Sequence, residues 1–269
     1  MKYKKELETA RKASSEAAII IREFAKSETF GVELKRKNDL VTDADLASEK
    51  KIIEVIKSVF PKDRFLAEES NTYTELPSGR VWIIDPIDGT TNFSHGFPPY
   101  CVSIAFWENR EPKVGLVLEV ANDEWFWAVE SDGAYLGDQK LSISEITDPS
   151  KALISTGFPY SQFELVDPYL QVLKNMMQKT HGVRRAGAAS YDLCCVAAGR
   201  VEGFYEYGLN PWDIAAGMLI IKEAGGISTD WKGKQNKLFG KRIISGNPSI
   251  CKFLEGEIRN CFGEENLEL

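Results

Sequence analysis

The chain has 269 residues, 43% of them hydrophobic, which is enough to bury a sizeable core as one large domain or two closely packed lobes. Acidic residues outnumber basic ones by 40 to 33, which gives a net charge of −7. This balance argues against binding to bulk nucleic acid, which needs a basic face, but not against a small phosphorylated ligand, because a bound metal can reverse the local charge.

Cysteine usage and hydropathy bear on the compartment. The five cysteines match no zinc-binding spacing, and we interpret them as reduced thiols. The N-terminal residues lead into a mixed-charge helix rather than a signal sequence, and no apolar run approaches the roughly 20 residues that span a bilayer. We therefore expect a cytoplasmic protein without a membrane partner.

The first half of the chain reads as two helices followed by strands. Apolar residues recur at helical intervals from Leu7 to Phe24 and predict an amphipathic helix. A second helix should follow Thr42 and stop at Pro61, with Leu46 on its apolar face. The next segments predict a large, mostly antiparallel sheet, with strands at 64–67, 81–84, 102–106, 114–118 and 125–129.

In the second half, strands and helices alternate. We predict strands at 152–155, 203–207, 227–229 and 242–245, and helices at 168–179, 190–198, 213–224 and 248–260. Gly225 and Gly226 should stop the third of these helices. Two α+β lobes, residues 1–145 and 146–269, are the simplest architecture.

The most informative segment runs from Trp82 to Asn92. A buried strand should end there, and two aspartates, Asp85 and Asp88, follow three residues apart. Gly89 lets the backbone approach a ligand, and the free N–H groups of residues 89–91, at a helix start, would attract phosphate. Two carboxylates would repel that phosphate unless a divalent cation lay between them. A histidine-free oxygen ligand set favours Mg²⁺ over zinc.

Two further acidic elements bear on this interpretation. Glu68 follows a short apolar strand, and Asp213 lies in the first turn of an apolar helix. Taken singly, each is more simply a solvated turn residue or an N-cap, and the two aspartates of the Asp-Pro-x-Asp-Gly turn could also be caps. Three acidic elements at strand ends or helix starts together favour a shared metal site.

Several segments in combination resemble the inositol monophosphatase family of metal-dependent, lithium-sensitive phosphatases. The signatures lie at 68–70, 82–92, 212–213 and 223–226, and the stretches 38–45, 156–159 and 185–189 resemble bacterial members. They occur in order over nearly the whole chain. The resemblance implies an α+β fold, a layered α-β-α-β-α sandwich, usually dimeric, with two or three Mg²⁺ ions per subunit.

The resemblance also assigns metal ligands by position. Glu68, Asp85 and the Ile87 carbonyl would hold the first ion. Asp85, Asp88 and Asp213 would hold the second, and Glu68 would help to bind a weaker third. Asp45 would lie in the outer shell.

The same resemblance assigns substrate contacts. Thr90 would orient the attacking water, with Asp43 or Asp45 setting the charge around it. The alcohol part of the substrate would lie in a pocket, where Ala188 removes a hydroxyl that many relatives carry and Tyr191 is expected to narrow the space. The implied substrate-binding residues are Ile87, Asp88, Gly89, Thr90, Gly187, Ala188, Ala189, Glu206 and Asp213.

The implied activity is Mg²⁺-dependent hydrolysis of a small phosphomonoester, with myo-inositol 1-phosphate as the leading substrate and no covalent intermediate. One ion would acidify the attacking water and a second would neutralise the leaving oxygen. Fructose 1,6-bisphosphate, histidinol phosphate and 3′-phosphoadenosine 5′-phosphate are alternative substrates. A regulatory binding protein on the same fold is an alternative of a different class.

Overall fold

The computed structural model describes residues 1–26, 32–36, 39–158, 163–234 and 238–267. Within these ranges the helices are α1 (Lys4–Lys26), α2 (Asp43–Val59), α3 (Thr90–Ser94), α4 (Val166–Lys179), α5 (Ala189–Ala197), α6 (Pro211–Glu223) and α7 (Pro248–Phe262). The strands are β1 (Val32–Arg36), β2 (Asp39–Thr42), β3 (Arg64–Ala67), β4 (Arg80–Asp88), β5 (Cys101–Glu108), β6 (Glu111–Glu119), β7 (Glu124–Val129), β8 (Gly133–Leu136), β9 (Gln139–Lys140), β10 (Leu153–Thr156), β11 (Gly182–Arg184), β12 (Gly203–Tyr207), β13 (Ile227–Thr229) and β14 (Arg242–Gly246).

Two sheets carry the architecture. The first has seven strands in the order β3-β4-β5-β6-β7-β8-β9 and is antiparallel except for the β3–β4 pair. The second has five strands in the order β11-β10-β12-β14-β13, and β1 and β2 form a separate hairpin. The predicted antiparallel sheet is thus confirmed. The sequence prediction missed β1, β2, β8, β9 and β11, in which charged, polar or glycine residues leave little apolar alternation.

Three hydrophobic clusters separate the layers. The alternation along β4 puts Trp82 in a cluster with α1 and α2, and Ile83 in a cluster with α5 and α6. On β12, Phe204 faces the same α5–α6 layer, whereas Tyr205 faces α4 and α7. The order of layers is therefore helix pair, sheet, helix pair, sheet, helix pair, which confirms the predicted sandwich.

The buried face of α2 differs from the prediction. Leu46 is 53% exposed, and the helix instead turns Asp45, Ser48 and Ile52 toward the protein. Asp45 forms a capping box with Thr42 at the helix start, and Ile52, Val55 and Ile56 continue the same buried face. Hydropathy alone could not find this face, since part of it is polar.

The predicted end of α6 is confirmed: the helix closes at Glu223 and Gly225 follows with φ 92°. The division into lobes near residue 145 stays a prediction, and α6, from the second half, packs between the two sheets. No helix in the described part of the chain is long and apolar enough to cross a membrane.

Candidate metal and phosphate site

Strand β4 does not end before the aspartates, as the sequence suggested, but runs through both of them. Asp85 pairs with Ser103 and Asp88 with Cys101, so β4 carries one more residue than β5 over this step. Residues three apart on a regular strand face opposite sides, and a bulge removes that restriction. Pro86 fits here because a bulge needs no ladder donor from it.

The parallel pairing of β3 with β4 brings Glu68 beside Asp85. Ala67 pairs with Ile84, and the next residue, Glu68, donates its N–H to the Ile84 carbonyl at 3.1 Å. Asp85 is only 2% exposed, and its Oδ1 accepts the Ile87 N–H at 3.0 Å. Two of the predicted ligands therefore leave neighbouring strands at one edge of the sheet.

Asp88 is held by the first turn of α5. Its Oδ1 accepts the Ala189 N–H at 3.3 Å, and its Oδ2 accepts the Ser190 N–H at 2.6 Å. The next residue, Gly89, has φ 92°, and a Cβ there would lie 3.1–3.2 Å from the Pro99 carbonyl and residues 187–188. The predicted pocket segment 187–189 therefore lies directly against the predicted phosphate segment.

Asp213 reaches the same region from the start of α6. Asn210 is the N-cap, and Asp213 is the N3 residue of a capping box, in which its Oδ2 accepts the Asn210 N–H at 2.7 Å. The charge of Asp213 also acts on Asp85, together with those of Glu68, Asp88 and Asp45. The structure thus brings all four predicted carboxylate ligands together from three separate parts of the chain.

Electrostatics show how closely these carboxylates interact. Burial, and then repulsion from neighbouring carboxylates, raises the pKa values of Asp85 and Asp213 well above the ordinary range. Burial raises the pKa of Asp88 to about 6, although its hydrogen bonds from Ser190 and Ala189 oppose the shift. Each of these carboxylates would be stabilised by a nearby cation.

The donor set fits a hard divalent ion, because it consists of carboxylate oxygens and a backbone carbonyl without a histidine. Among the described residues, no three His, Cys, Asp or Glu side chains are set closely enough, as they stand, to enclose an ion. The carboxylates therefore lie within strong electrostatic range of one another rather than in a closed ligand shell.

Thr90 and Asp45 form a contact next to this group. The Thr90 hydroxyl lies 3.2 Å from Asp45 Oδ1 and 3.0 Å from the Ile87 carbonyl, and can donate to either. Asp45 is fully buried, and its Oδ2 accepts the Thr42 N–H at 2.8 Å and the Thr42 hydroxyl. Of the two aspartates considered beside Thr90, Asp45 makes the contact, whereas Asp43 is exposed at the start of α2.

The predicted pocket residues adjoin the carboxylates. Glu206 on β12 is 9% exposed, and burial, followed by repulsion from Asp192, Asp213 and Asp88, raises its pKa well above the ordinary range. Asn92 binds the Pro99 and Ala186 carbonyls at 2.8 and 2.9 Å and so fixes the segment before Gly187.

Tyr191 does not face this pocket, contrary to expectation. Its ring packs edge-on against Phe126 with centroids 6.2 Å apart, and its hydroxyl contacts Glu124 and Arg200. The residue therefore stabilises the contact between α5 and β7.

Comparison with known proteins bears on this arrangement. The sequence profile described as the inositol monophosphatase family matches residues 2–260. The chain belongs to the inositol monophosphatase family.

Several similar proteins of this family are named Nus factor SuhB. The "Putative Nus factor SuhB" of Neisseria meningitidis serogroup B is 40% identical over 245 residues, which cover 91% of this chain and 94% of that protein. The "Nus factor SuhB" of Escherichia coli K12 is 36% identical, with 93% of each chain covered.

Solved structures of family members agree with the fold. The extragenic suppressor protein suhB from Bartonella henselae superposes with a TM-score of 0.89 at 37% identity, covering 94% of this chain and 98% of its own. The Thermotoga maritima IMPase gives a TM-score of 0.88 at 33% identity, covering 96% and 98%.

Of two further residues near the site, Asp192 was not found from the sequence, and Arg185 was noted only as part of the stretch 185–189. Asp192, in the first turn of α5, is 2% exposed and accepts a short hydrogen bond from the Ser155 hydroxyl. Arg185 lies over the Phe158 ring at 5.6 Å, and its charge partly opposes the rise that burial causes in the pKa values of Asp88, Asp192 and Glu206. An acidic residue within an otherwise apolar helix was the available signal for Asp192.

Proposed function

We propose that this family member is a Mg²⁺-dependent phosphatase that hydrolyses small phosphomonoesters, with myo-inositol 1-phosphate as its substrate. The observation that carries the proposal is the convergence of Glu68, Asp85, Asp88 and Asp213 from the end of β3, from β4 and from α6, where burial and then neighbouring carboxylates raise the pKa values of Asp85 and Asp213. Without a compensating role, repulsion among buried carboxylates only destabilises a fold.

Glu68, Asp85 and the Ile87 carbonyl would hold one ion, and Asp85, Asp88 and Asp213 a second, with Glu68 contributing to a third. When bound, the ions supply an acidified water and neutralise charge on the leaving oxygen. The chain's part is to hold these ligands in place, which the hydrogen bonds on Asp85, Asp88 and Asp213 do.

Thr90 would orient the attacking water. Its hydroxyl proton is directed to Asp45 or to the Ile87 carbonyl, so the oxygen's lone pairs remain available to accept a hydrogen bond from water. Asp45 would act through Thr90 and from the outer shell, since it is buried behind that residue. The phosphate would meet residues 89–91, because the first N–H groups of α3 have no partner within the helix.

The alcohol part of the substrate would lie against Gly187, Ala188, Ala189 and Glu206. A carboxylate can accept hydrogen bonds from two neighbouring hydroxyls, which suits a cyclitol or sugar. Fructose 1,6-bisphosphate, histidinol phosphate and 3′-phosphoadenosine 5′-phosphate remain the alternative substrates. We also propose that the chain acts as a cytoplasmic homodimer.

A panel of phosphorylated metabolites tests the proposal. Purified protein should release phosphate fastest from myo-inositol 1-phosphate with Mg²⁺, lose turnover on chelation, and be inhibited by lithium. Faster turnover of another compound would identify a different substrate, and the protein would still be a phosphatase. Absence of Mg²⁺-dependent turnover on every compound would refute the function.

A second candidate function is regulatory. The similarity to proteins named Nus factor SuhB favours transcription-associated partners. If partner binding is separate from catalysis, Asp213→Asn should abolish turnover and still co-purify with the same transcription proteins as the unaltered chain. Loss of co-purification in a stable variant would tie binding to the site instead.

A further inference from the structure

The carboxylate of Glu206 rests directly on the backbone of Gly157, the residue after β10. A Cβ built on Gly157 would lie 2.0 Å from Glu206 Oε1, 2.1 Å from its Cδ and 2.2 Å from its Oε2. These distances are far below any ordinary contact, so only glycine fits while Glu206 keeps this position. The φ of Gly157 does not call for glycine, because it is not among the positive values of the chain.

A buried pair of hydroxyls fixes the two backbone segments that meet here. Tyr169 on α4 is 1% exposed, and its Oη can donate to the Gly157 carbonyl at 2.9 Å. The Thr156 Oγ1 lies 2.7 Å from Tyr169 Oη and can donate to the Tyr205 carbonyl at 2.9 Å. Because one of the two protons must lie between the hydroxyls, the pair forms a short chain that ends either on the Gly157 carbonyl or on the Tyr205 carbonyl, beside Glu206.

The carboxylate of Glu206 needs such a support. Burial, and then repulsion from Asp192, Asp213 and Asp88, disfavours its charged form at this place, so the surrounding groups must hold it there. The glycine opens room for the carboxylate on the side of β10, and the hydroxyl pair keeps β10 and β12 from separating.

We infer that Gly157 is a specificity-determining position, and that Thr156 and Tyr169 are positioning residues for Glu206. This inference rests on the proposed function, in which Glu206 contacts the alcohol part of the substrate. Any side chain at residue 157 displaces Glu206, and the enzyme should then lose its preference for hydroxyl-bearing substrates while still hydrolysing phosphate esters that lack them.

A double-mutant cycle tests the inference in the Mg²⁺-loaded protein. The measured quantity is the ratio of kcat/KM for myo-inositol 1-phosphate to that for p-nitrophenyl phosphate, with kcat and KM reported separately. Gly157→Ala should lower this ratio about tenfold or more, as expected for loss of a charged hydrogen bond. In a Glu206→Ala background, Gly157→Ala should have no further effect, because its Cβ then meets no carboxylate.

Two more variants control for the effect of adding a methyl group and for poor folding of Gly157→Ala. Gly256→Ala, in α7, is the matched control: nothing lies within 4 Å of its new methyl group, so the ratio should not change. Tyr169→Phe should lower the ratio in the same direction as Gly157→Ala but less, even if Gly157→Ala folds poorly. Effects of Gly157→Ala and Glu206→Ala that simply add would overturn the inference.

A crystal structure of Gly157→Ala decides the point independently of activity. The expected result is a Glu206 carboxylate displaced by more than 1 Å with the Thr156–Tyr169 contact kept, because the end of a flexible side chain moves more easily than backbone. An unmoved Glu206 over a shifted residue 157 would overturn the inference. Failure of the proposed function would appear separately, as a wild-type protein without phosphatase activity.

Discussion

The Asp88 carboxylate, at the end of β4, accepts the backbone N–H of Ser190, in the first turn of α5, at 2.6 Å. The two residues are 102 positions apart, and they lie on elements of different halves of the chain. The candidate site is therefore complete only when α5 packs against the seven-stranded sheet. Changes that crowd this junction should affect the site and stability together.

Gly89→Ala should reduce both the stability of the fold and the turnover. The residue has φ 92°, and its new Cβ would lie 3.1 Å from the Pro99 carbonyl and 3.2 Å from the Ala188 Cβ. We expect a loss of stability greater than the roughly 1 kcal/mol cost of a left-handed alanine, with a large fall in turnover. Urea unfolding and steady-state kinetics measure the two effects.

Gly79→Ala is the control for backbone strain. Gly79 has a similar φ of 81°, but nothing lies within 4 Å of its Cβ position. Gly79→Ala should lose only the stability that a left-handed alanine costs, and it should keep its phosphatase activity. Equal losses for the two variants would show that crowding at the α5 junction is unimportant.

Metal binding should stabilise the fold. The repulsion that raises the pKa values of Asp85 and Asp213 is relieved when a cation lies between them. At about a hundredfold excess over its Kd, Mg²⁺ should raise Tm by roughly 5–10 °C in a thermal scan. Sodium chloride at equal ionic strength is the control, and an equal rise with it would mean only screening of charge.

Asp192 should make stability depend on pH. Burial, and then repulsion from Asp88, raises its folded-state pKa to about 8, against the opposing effects of Ser155 and Arg185. Between the ordinary carboxyl pKa and about 8, the folded chain keeps a proton that the unfolded chain releases. The free energy of unfolding should therefore fall with rising pH, by at most about 1.4 kcal/mol per pH unit from this group.

Asp192→Asn removes that titration and can still accept the Ser155 hydrogen bond. Urea unfolding at pH 5.5 and 8.0, with Mg²⁺ saturating, should show that the free energy of unfolding falls less with pH for Asp192→Asn than for the unaltered chain. Asp167→Asn, at an exposed position of α4, is the matched control for an aspartate-to-asparagine change. An unchanged slope for Asp192→Asn would show that Asp192 is ionised in the folded protein.

Much of the fold followed from local patterns. The strands at 203–207 and 227–229 were predicted with their observed bounds, because alternating or β-branched residues are bracketed there by glycines and turns. Glu68, Asp85, Asp88 and Asp213 were found because functional groups often lie at strand ends and helix starts, and the sequence places these four residues there. Their roles as ligands are still predictions.

What could not be predicted depends on contacts distant in sequence. The bulge between Asp85 and Asp88 is defined only by the pairing of β4 with β5. The contact between Gly157 and Glu206 depends on β10 lying beside β12, and no local pattern encodes it. Leu46 was placed on the wrong face of α2 because Asp45 and Ser48 are buried together with Ile52 and Ile56, and polar residues do not stand out as part of a buried face.

Asp213 has two separable roles. In the capping box it accepts the Asn210 N–H at 2.7 Å, and an asparagine side chain can accept the same bond. As a metal ligand its charge is essential, because loss of one transition-state stabiliser costs roughly a hundredfold in rate. Asp213→Asn should therefore keep the helix and lose the turnover.

Stability without metal distinguishes these roles. Asp213 has its pKa raised by burial and by Asp88 and Glu68, so neutralising it should leave the Tm of the chelated protein level or higher. The Tm gained on adding Mg²⁺ should shrink at the same time. Asp148→Asn, an exposed cap that accepts the Ser150 N–H at 3.0 Å, should change neither turnover nor the Mg²⁺ effect. A stable Asp213→Asn protein with full activity would limit Asp213 to capping; a stable, inactive one with a weakened Mg²⁺ response would identify it as a ligand.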